Sequence, residues 1–137
     1  MRYLGIDPGE KRIGVAVSDP LGITAQGLEV INYKNLDEAI ERIEKICREY
    51  EISTIVVGNP LNMSGLKGAA SEKAEEFAAL LRQKVLAEVE MIDERLTSSS
   101  AEKLLISGGA SRKKRRQVKD KIAAVLILET YLALQNK

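Results

Sequence analysis

Met1-Arg-Tyr-Leu-Gly-Ile-Asp-Pro-Gly-Glu-Lys-Arg-Ile-Gly-Val-Ala-Val-Ser-Asp19 is a short apolar run that ends in an acid, turns, and resumes apolar. Pro8-Gly9 breaks the first strand just after Asp7. Ile13, Val15 and Val17 then alternate with Gly14, Ala16 and Ser18, as in a second strand packed closely on one face. The pair reads as a hairpin carrying an acid at the end of one strand and a basic turn, Lys11-Arg12. A carboxylate inside a sheet is costly to desolvate unless an Arg, a Lys or a metal ion compensates it. Asp7 is therefore the first residue whose presence needs a chemical reason.

Outward from the hairpin, Gly27 to Tyr33 reads as a third strand. Asn35 to Tyr50 reads as a helix, because Leu36, Ala39, Ile40, Ile43, Ile46, Cys47 and Tyr50 recur at three- and four-residue spacing, with Asn35 and Glu38 in capping-box register. Cys47 lies in that apolar stripe, so it reads as core. Thr54 to Gly58 is a strand buried on both faces. Asn59 to Gly68 is a loop whose backbone amides could cradle phosphate, although such loops more often only connect. A helix over 70–86 and a strand over 89–93 follow. A further helix is expected from Thr97 to about Ile106, with Ser99 and Glu102 as its capping box and Gly108-Gly109 ending it. The basic segment up to residue 116 reads as a mobile loop, and a last helix runs from about Gln117 to Leu134. The order is β-β-β-α-β-α-β-α-α. This is an α/β chain, one domain over 1–137, with a mixed five-stranded sheet flanked by helices on both faces.

The 137 residues hold no histidine and a single cysteine. Ser-His and Cys-His nucleophiles, histidine bases and histidine- or cysteine-rich zinc sites are thereby excluded. Chemistry is left to carboxylates, Lys, Tyr, backbone dipoles or a hard metal with oxygen ligands. No apolar run approaches the roughly 18 residues needed to span a bilayer, and the start lacks a signal-peptide pattern. We therefore expect a cytoplasmic protein without a membrane partner. Five of the 21 basic residues fall in Arg112-Lys-Lys-Arg-Arg116, so the other 16 face 20 acidic ones and the net charge of +1 hides a local positive patch. Such a patch on a near-neutral chain points to a polyanionic partner, or else to a solvated charge run.

Asp7, Asp93-Glu94 and Asp120 each interrupt an apolar or basic context, and the topology allows the ends of the first and fifth strands to meet the first turn of the last helix, where Asp120 is expected. Converging carboxylates repel, so such a cluster suits Mg²⁺ or Mn²⁺. Paired ions of that kind hydrolyse phosphodiesters without histidine. Asp93-Glu94 could equally pair with Arg95, and Asp120 could merely answer its lysine neighbours. Strand alternation places Asp93 with Val89 and Met91, and Glu94 with Ile92. The pattern does not choose between them.

Gly5 to Asp19, Val57 to Gly65, Asp93-Glu-Arg-Leu-Thr97 and Asp120-Lys-Ile-Ala-Ala124 together resemble the signature blocks of the bacterial YqgF family, also called RuvX. The resemblance runs from end to end, with departures at Asn59 and Ser64. It implies a ribonuclease-H-like fold and a metal-dependent nuclease, active in maturation of precursor small-subunit (16S) ribosomal RNA or in resolving Holliday junctions. It assigns Asp7, Glu94 and Asp120 as the catalytic and metal-binding residues for Mg²⁺ or Mn²⁺. Nucleic acid would be gripped by Lys11, Arg12, Arg95, Arg112, Lys113, Lys114, Arg115 and Arg116. Structured RNA is the favoured partner and branched DNA the alternative, on a monomer or homodimer. A non-catalytic nucleic-acid adaptor on the same scaffold is the rival reading, since fold does not establish chemistry. With aromatic residues at 4% of the chain, base stacking should count for little beside backbone charge and shape.

Overall fold

The computed structural model describes residues 1–61, 66, 68–96 and 112–135, with backbone alone at 112–115 and 117. The strands are β1 (Tyr3–Asp7), β2 (Arg12–Ser18), β3 (Ala25–Asn32), β4 (Thr54–Asn59) and β5 (Glu88–Asp93). The helices are α1 (Leu36–Glu49), α2 (Ala69–Lys84) and α3 (Arg112–Gln135), and a single 3₁₀ turn, Glu94–Leu96, follows β5. The strands form one mixed sheet in the order β3-β2-β1-β4-β5. The β1-β2 and β2-β3 pairs are antiparallel, whereas β1-β4 and β4-β5 are parallel, as helical crossovers require.

Period-two alternation sorts the sheet into two faces. Leu4, Ile6, Ile13, Val15, Val17, Ile55, Val57 and Val89 form one core with Ile40, Ile43 and Ile46 of α1 and Phe77, Ala78 and Leu81 of α2. Asn35 starts α1 by accepting the Asp37 N–H at 2.8 Å. On the other face Ala16, Val56 and Ile92 meet Ala124, Ile127, Leu128 and Leu132 of α3. The second core is thin because its strand positions are small. A Cβ on Gly5 would lie 2.8 Å from the Ala124 carbonyl and from Leu128 Cβ, and one on Gly14 would run into the Asp120 carbonyl. The backbone of α3 therefore rests directly on β1 and β2.

Cys47 is buried in the α1 stripe, and desolvation pushes its thiol up to about 12. We expect no alkylation of Cys47 by iodoacetamide in the folded protein and full alkylation in denaturant, read by mass spectrometry.

One expectation changes. The basic run is no loop, because α3 begins at Arg112 and takes 112–116 into its first turns, which places Asp120 two turns inside the helix. The helix expected from Thr97 to Ile106 lies outside the described residues, as does most of the loop after Asn59.

Candidate active site

Asp7 continues the β1 face that carries Tyr3 and Gly5, so its carboxylate is on the α3 side of the sheet. Glu94 follows β5 in the register of Ile92, which also faces α3. These two strands are not neighbours, since β4 lies between them. The intervening position on that face of β4 is Gly58, where a side chain would collide with Glu94 Oε1 and come within 2.6 Å of Ile127 Cδ1. The missing side chain lets the acids from β1 and β5 reach each other across β4. They share a side-chain hydrogen bond, and Glu94 Oε1 is shielded from solvent.

Asp120 enters from above. Its carbonyl covers Gly14, the residue that pairs with Asp7 across the β1-β2 ladder. Its carboxylate turns aside, however, and accepts Arg12 Nε at 2.8 Å through Oδ2. Asp120 is thus felt at Asp7 as a charge, while its oxygen belongs to an ion pair. No three acidic, Cys or His side chains among the described residues stand together as a ready metal cage.

Burial, then the charge and hydrogen bond of Glu94, then the charge of Asp120 push the Asp7 carboxyl up to about 8, with Lys119 opposing them. Burial also raises Glu94, and the hydrogen bond from Asp7 partly offsets this. Both carboxyls are thus held above the ordinary range, and the pair favours one shared proton. Asp93 behaves oppositely. It lies on the other strand face and accepts Arg95 at 2.7 Å, 2.9 Å and 3.1 Å, and that guanidinium holds its carboxyl below the ordinary range. The structure thus brings Asp7 and Glu94 into contact, sets Asp120 beside them and leaves Asp93 out.

Among the expected phosphate-binding residues, Arg12 is committed to Asp120 and Arg95 to Asp93, while Lys11 is exposed on the β1-β2 turn. Arg116 is exposed one turn ahead of Asp120 on α3. The side chains of Arg112, Lys113, Lys114 and Arg115 lie outside the described set. Sequence reasoning missed Lys119, whose charge reaches Asp7, and Lys73, which ties α2 to Glu10 of the turn at 3.1 Å. Adjacency to Asp120 was the available signal for Lys119. No sequence pattern marked Lys73.

Comparison with known proteins bears on the fold and the family. A protein of Clostridium tetani named "Putative pre-16S rRNA nuclease" is 51% identical over 138 residues, covering 100% of both chains. One of the same name from Pelotomaculum thermopropionicum is 51% identical and covered to 90%. Among solved structures, Thermus thermophilus RuvC in complex with Holliday junction substrate superposes with a TM-score of 0.60 at 15% identity, over 98% of this chain and 96% of that one. The fowlpox virus resolvase bound to Holliday junction DNA gives 0.59 at 11% identity over 100% of both chains. These distant neighbours show the ribonuclease-H-like fold that the family resemblance implied. Residues 1–134 match the RuvX family, described as Holliday junction resolvase, and the chain belongs to this nuclease family.

Proposed function

We propose that this protein is a divalent-metal-dependent nuclease that trims precursor 16S ribosomal RNA, with Asp7 and Glu94 as the core of its metal site and Asp120 as the third acid. The observation that carries the reading is the Asp7-Glu94 pair, two desolvated carboxylates forced to share a proton in a sheet with no histidine. Such a pair is destabilising to an apo fold and is the donor chemistry a hard cation takes up. When bound, Mg²⁺ or Mn²⁺ would supply activation of a water and stabilisation of the leaving oxygen of a phosphodiester. The chain's own residues would hold and orient. Gly58 leaves room for Glu94, Gly14 sets the height of α3, and Lys119 balances the negative charge at Asp7.

RNA is favoured over a DNA junction because relatives at about half identity are named for ribosomal RNA, whereas the junction-bound neighbours share only the fold. Side-by-side cleavage of precursor ribosomal RNA and a four-way DNA junction in Mg²⁺ and Mn²⁺ tests this. We expect RNA to be cut and the junction left intact. Symmetric junction cleavage would reverse the assignment and require a two-fold dimer, where RNA trimming works on a monomer. Absence of any cutting, with nucleic acid still bound, would leave an adaptor.

Glu94→Gln is expected to be inactive and Asp93→Asn only impaired, because Glu94 is paired with Asp7 while Asp93 answers Arg95. Single-turnover cleavage rates decide it, and the opposite ranking would place the site on the other strand face.

The run Arg112 to Arg116 would hold the backbone from the start of α3. Five cations at a helix N-terminus oppose the macrodipole and one another, a conflict that phosphates would relieve. Changing Lys113, Lys114 and Arg115 together to Ser should flatten the dependence of log affinity on log salt by roughly two to three units, for all sequences alike. An unchanged slope with α3 intact by circular dichroism would move the phosphate grip to Lys11, Arg12 and Arg95.

A further inference from the structure

We propose that Arg12 is a latch that makes completion of the carboxylate site conditional on bound nucleic acid: it holds Asp120 until a backbone phosphate takes its guanidinium. The inference rests on the metal-site reading above and adds a regulation to it.

The geometry has three parts. Arg12 opens β2 on the face of Gly14, so a strand buried almost throughout fixes the base of its side chain directly beneath α3. Its Nε meets Asp120 Oδ2 at 2.8 Å, and among the described residues this is the one hydrogen bond its side chain makes, so its other N–H groups hold no carboxylate. Accessibility is unequal: the Arg12 side chain is 34% exposed and that of Asp120 only 19%. An approaching polyanion therefore meets the cation before the acid. Guanidinium binds phosphate in a two-pronged geometry that one Nε bond to a carboxylate does not match. The exchange frees Asp120 beside Asp7 and Glu94, where its charge is already felt. Without it the two-acid pair stands one ligand short. Lys11, next in the chain, is exposed and makes no ion pair with Asp120 among the described residues, so it binds anions without working the latch.

Coupling of this kind is reciprocal, so nucleic acid must tighten metal by the factor by which metal tightens nucleic acid. The probe is Mn²⁺, titrated calorimetrically into the full chain with and without an RNA oligonucleotide made uncleavable by 2′-O-methyl groups, subtracting Mn²⁺ taken up by the RNA alone. In the wild type, RNA should tighten Mn²⁺ about tenfold. Arg12→Gln should bind Mn²⁺ at that tighter level without RNA and gain nothing from it. Asp120→Asn, breaking the pair from the other side, should stay weak in both conditions. Lys45→Gln removes the same charge from the exposed face of α1, outside the site, and should change Mn²⁺ affinity in the absence of RNA by less than about twofold. Thermal melts confirm that each variant is folded.

Arg12→Gln with wild-type Mn²⁺ affinity and undiminished RNA coupling would overturn the latch and leave the ion pair as a tether for α3. Equal tightening in Lys45→Gln would overturn it too, by showing general charge alone. If Asp7→Asn binds Mn²⁺ like the wild type, the metal-site reading itself falls, an outcome distinct from a failed latch on a site that still needs Asp7.

Discussion

Asp7→Asn is expected to abolish cleavage, by on the order of a thousandfold or more, while making the metal-free protein more stable. The change keeps the shape of the side chain and removes the charge that burial and Glu94 resist. The sign with pH follows from the shift. The carboxyl titrates near its ordinary 3.8 when unfolded and near about 8 when folded, so the folded chain holds the proton more tightly. Its stability contribution is intact below pH 4 and is lost as pH rises through 8. The Asn variant escapes that loss. It should melt close to the wild type at pH 4 and at least about 6 °C above it at pH 8.5, the equivalent of about 2 kcal/mol or more once relaxation of the unpaired site is allowed for. Melting curves at the two pH values check this, and a variant less stable than the wild type at pH 8.5 would mean that Asp7 is compensated within the fold.

Gly14→Ala should be among the most disruptive single methyl additions in the chain. The new Cβ meets a backbone carbonyl, that of Asp120, and a backbone on a helix cannot swing aside as a side-chain tip can. Overpacking of this kind costs about 3 kcal/mol, or roughly 10 °C in melting temperature for a chain of this size. Lifting α3 would also move Asp120 off the site, so metal affinity should fall with stability. Gly27→Ala is the matched control. Its Cβ would touch Lys121 side-chain atoms at 3.5 Å, an ordinary contact, and the melting temperature should hold or rise slightly.

The sheet was legible in the chain because its strands are short, apolar and punctuated. Pro8-Gly9 ended β1 where the structure ends it, and the alternation of Ile13, Val15 and Val17 with small residues marked the two faces of β2. The same period carries Glu94 to the face of Ile92. What the pattern lacked was which face bore Asp7. Gly5 held that information, since a glycine two residues before an acid on a central strand announces a backbone packed against that side. The start of α3 was missed for an electrostatic reason. A pentad of cations at a helix N-terminus contradicts both propensity near the dipole and mutual repulsion, so the run read as a loop, although Ser111, a residue type that caps helices, precedes it. The Arg12-Asp120 pair joins residues 108 positions apart, and no local pattern registers such a contact.

The central claim is that Asp7 and Glu94 hold a divalent metal that replaces the proton they share. Calorimetric titration of Mn²⁺ into the metal-free protein at pH 7, run in two buffers of different ionisation enthalpy, measures metal and proton together. The account predicts saturable binding that releases close to one proton per site, strengthens as pH rises toward 8, and is lost in Asp7→Asn. Binding of equal strength in Asp7→Asn, or uptake by the wild type with no proton released, would contradict it.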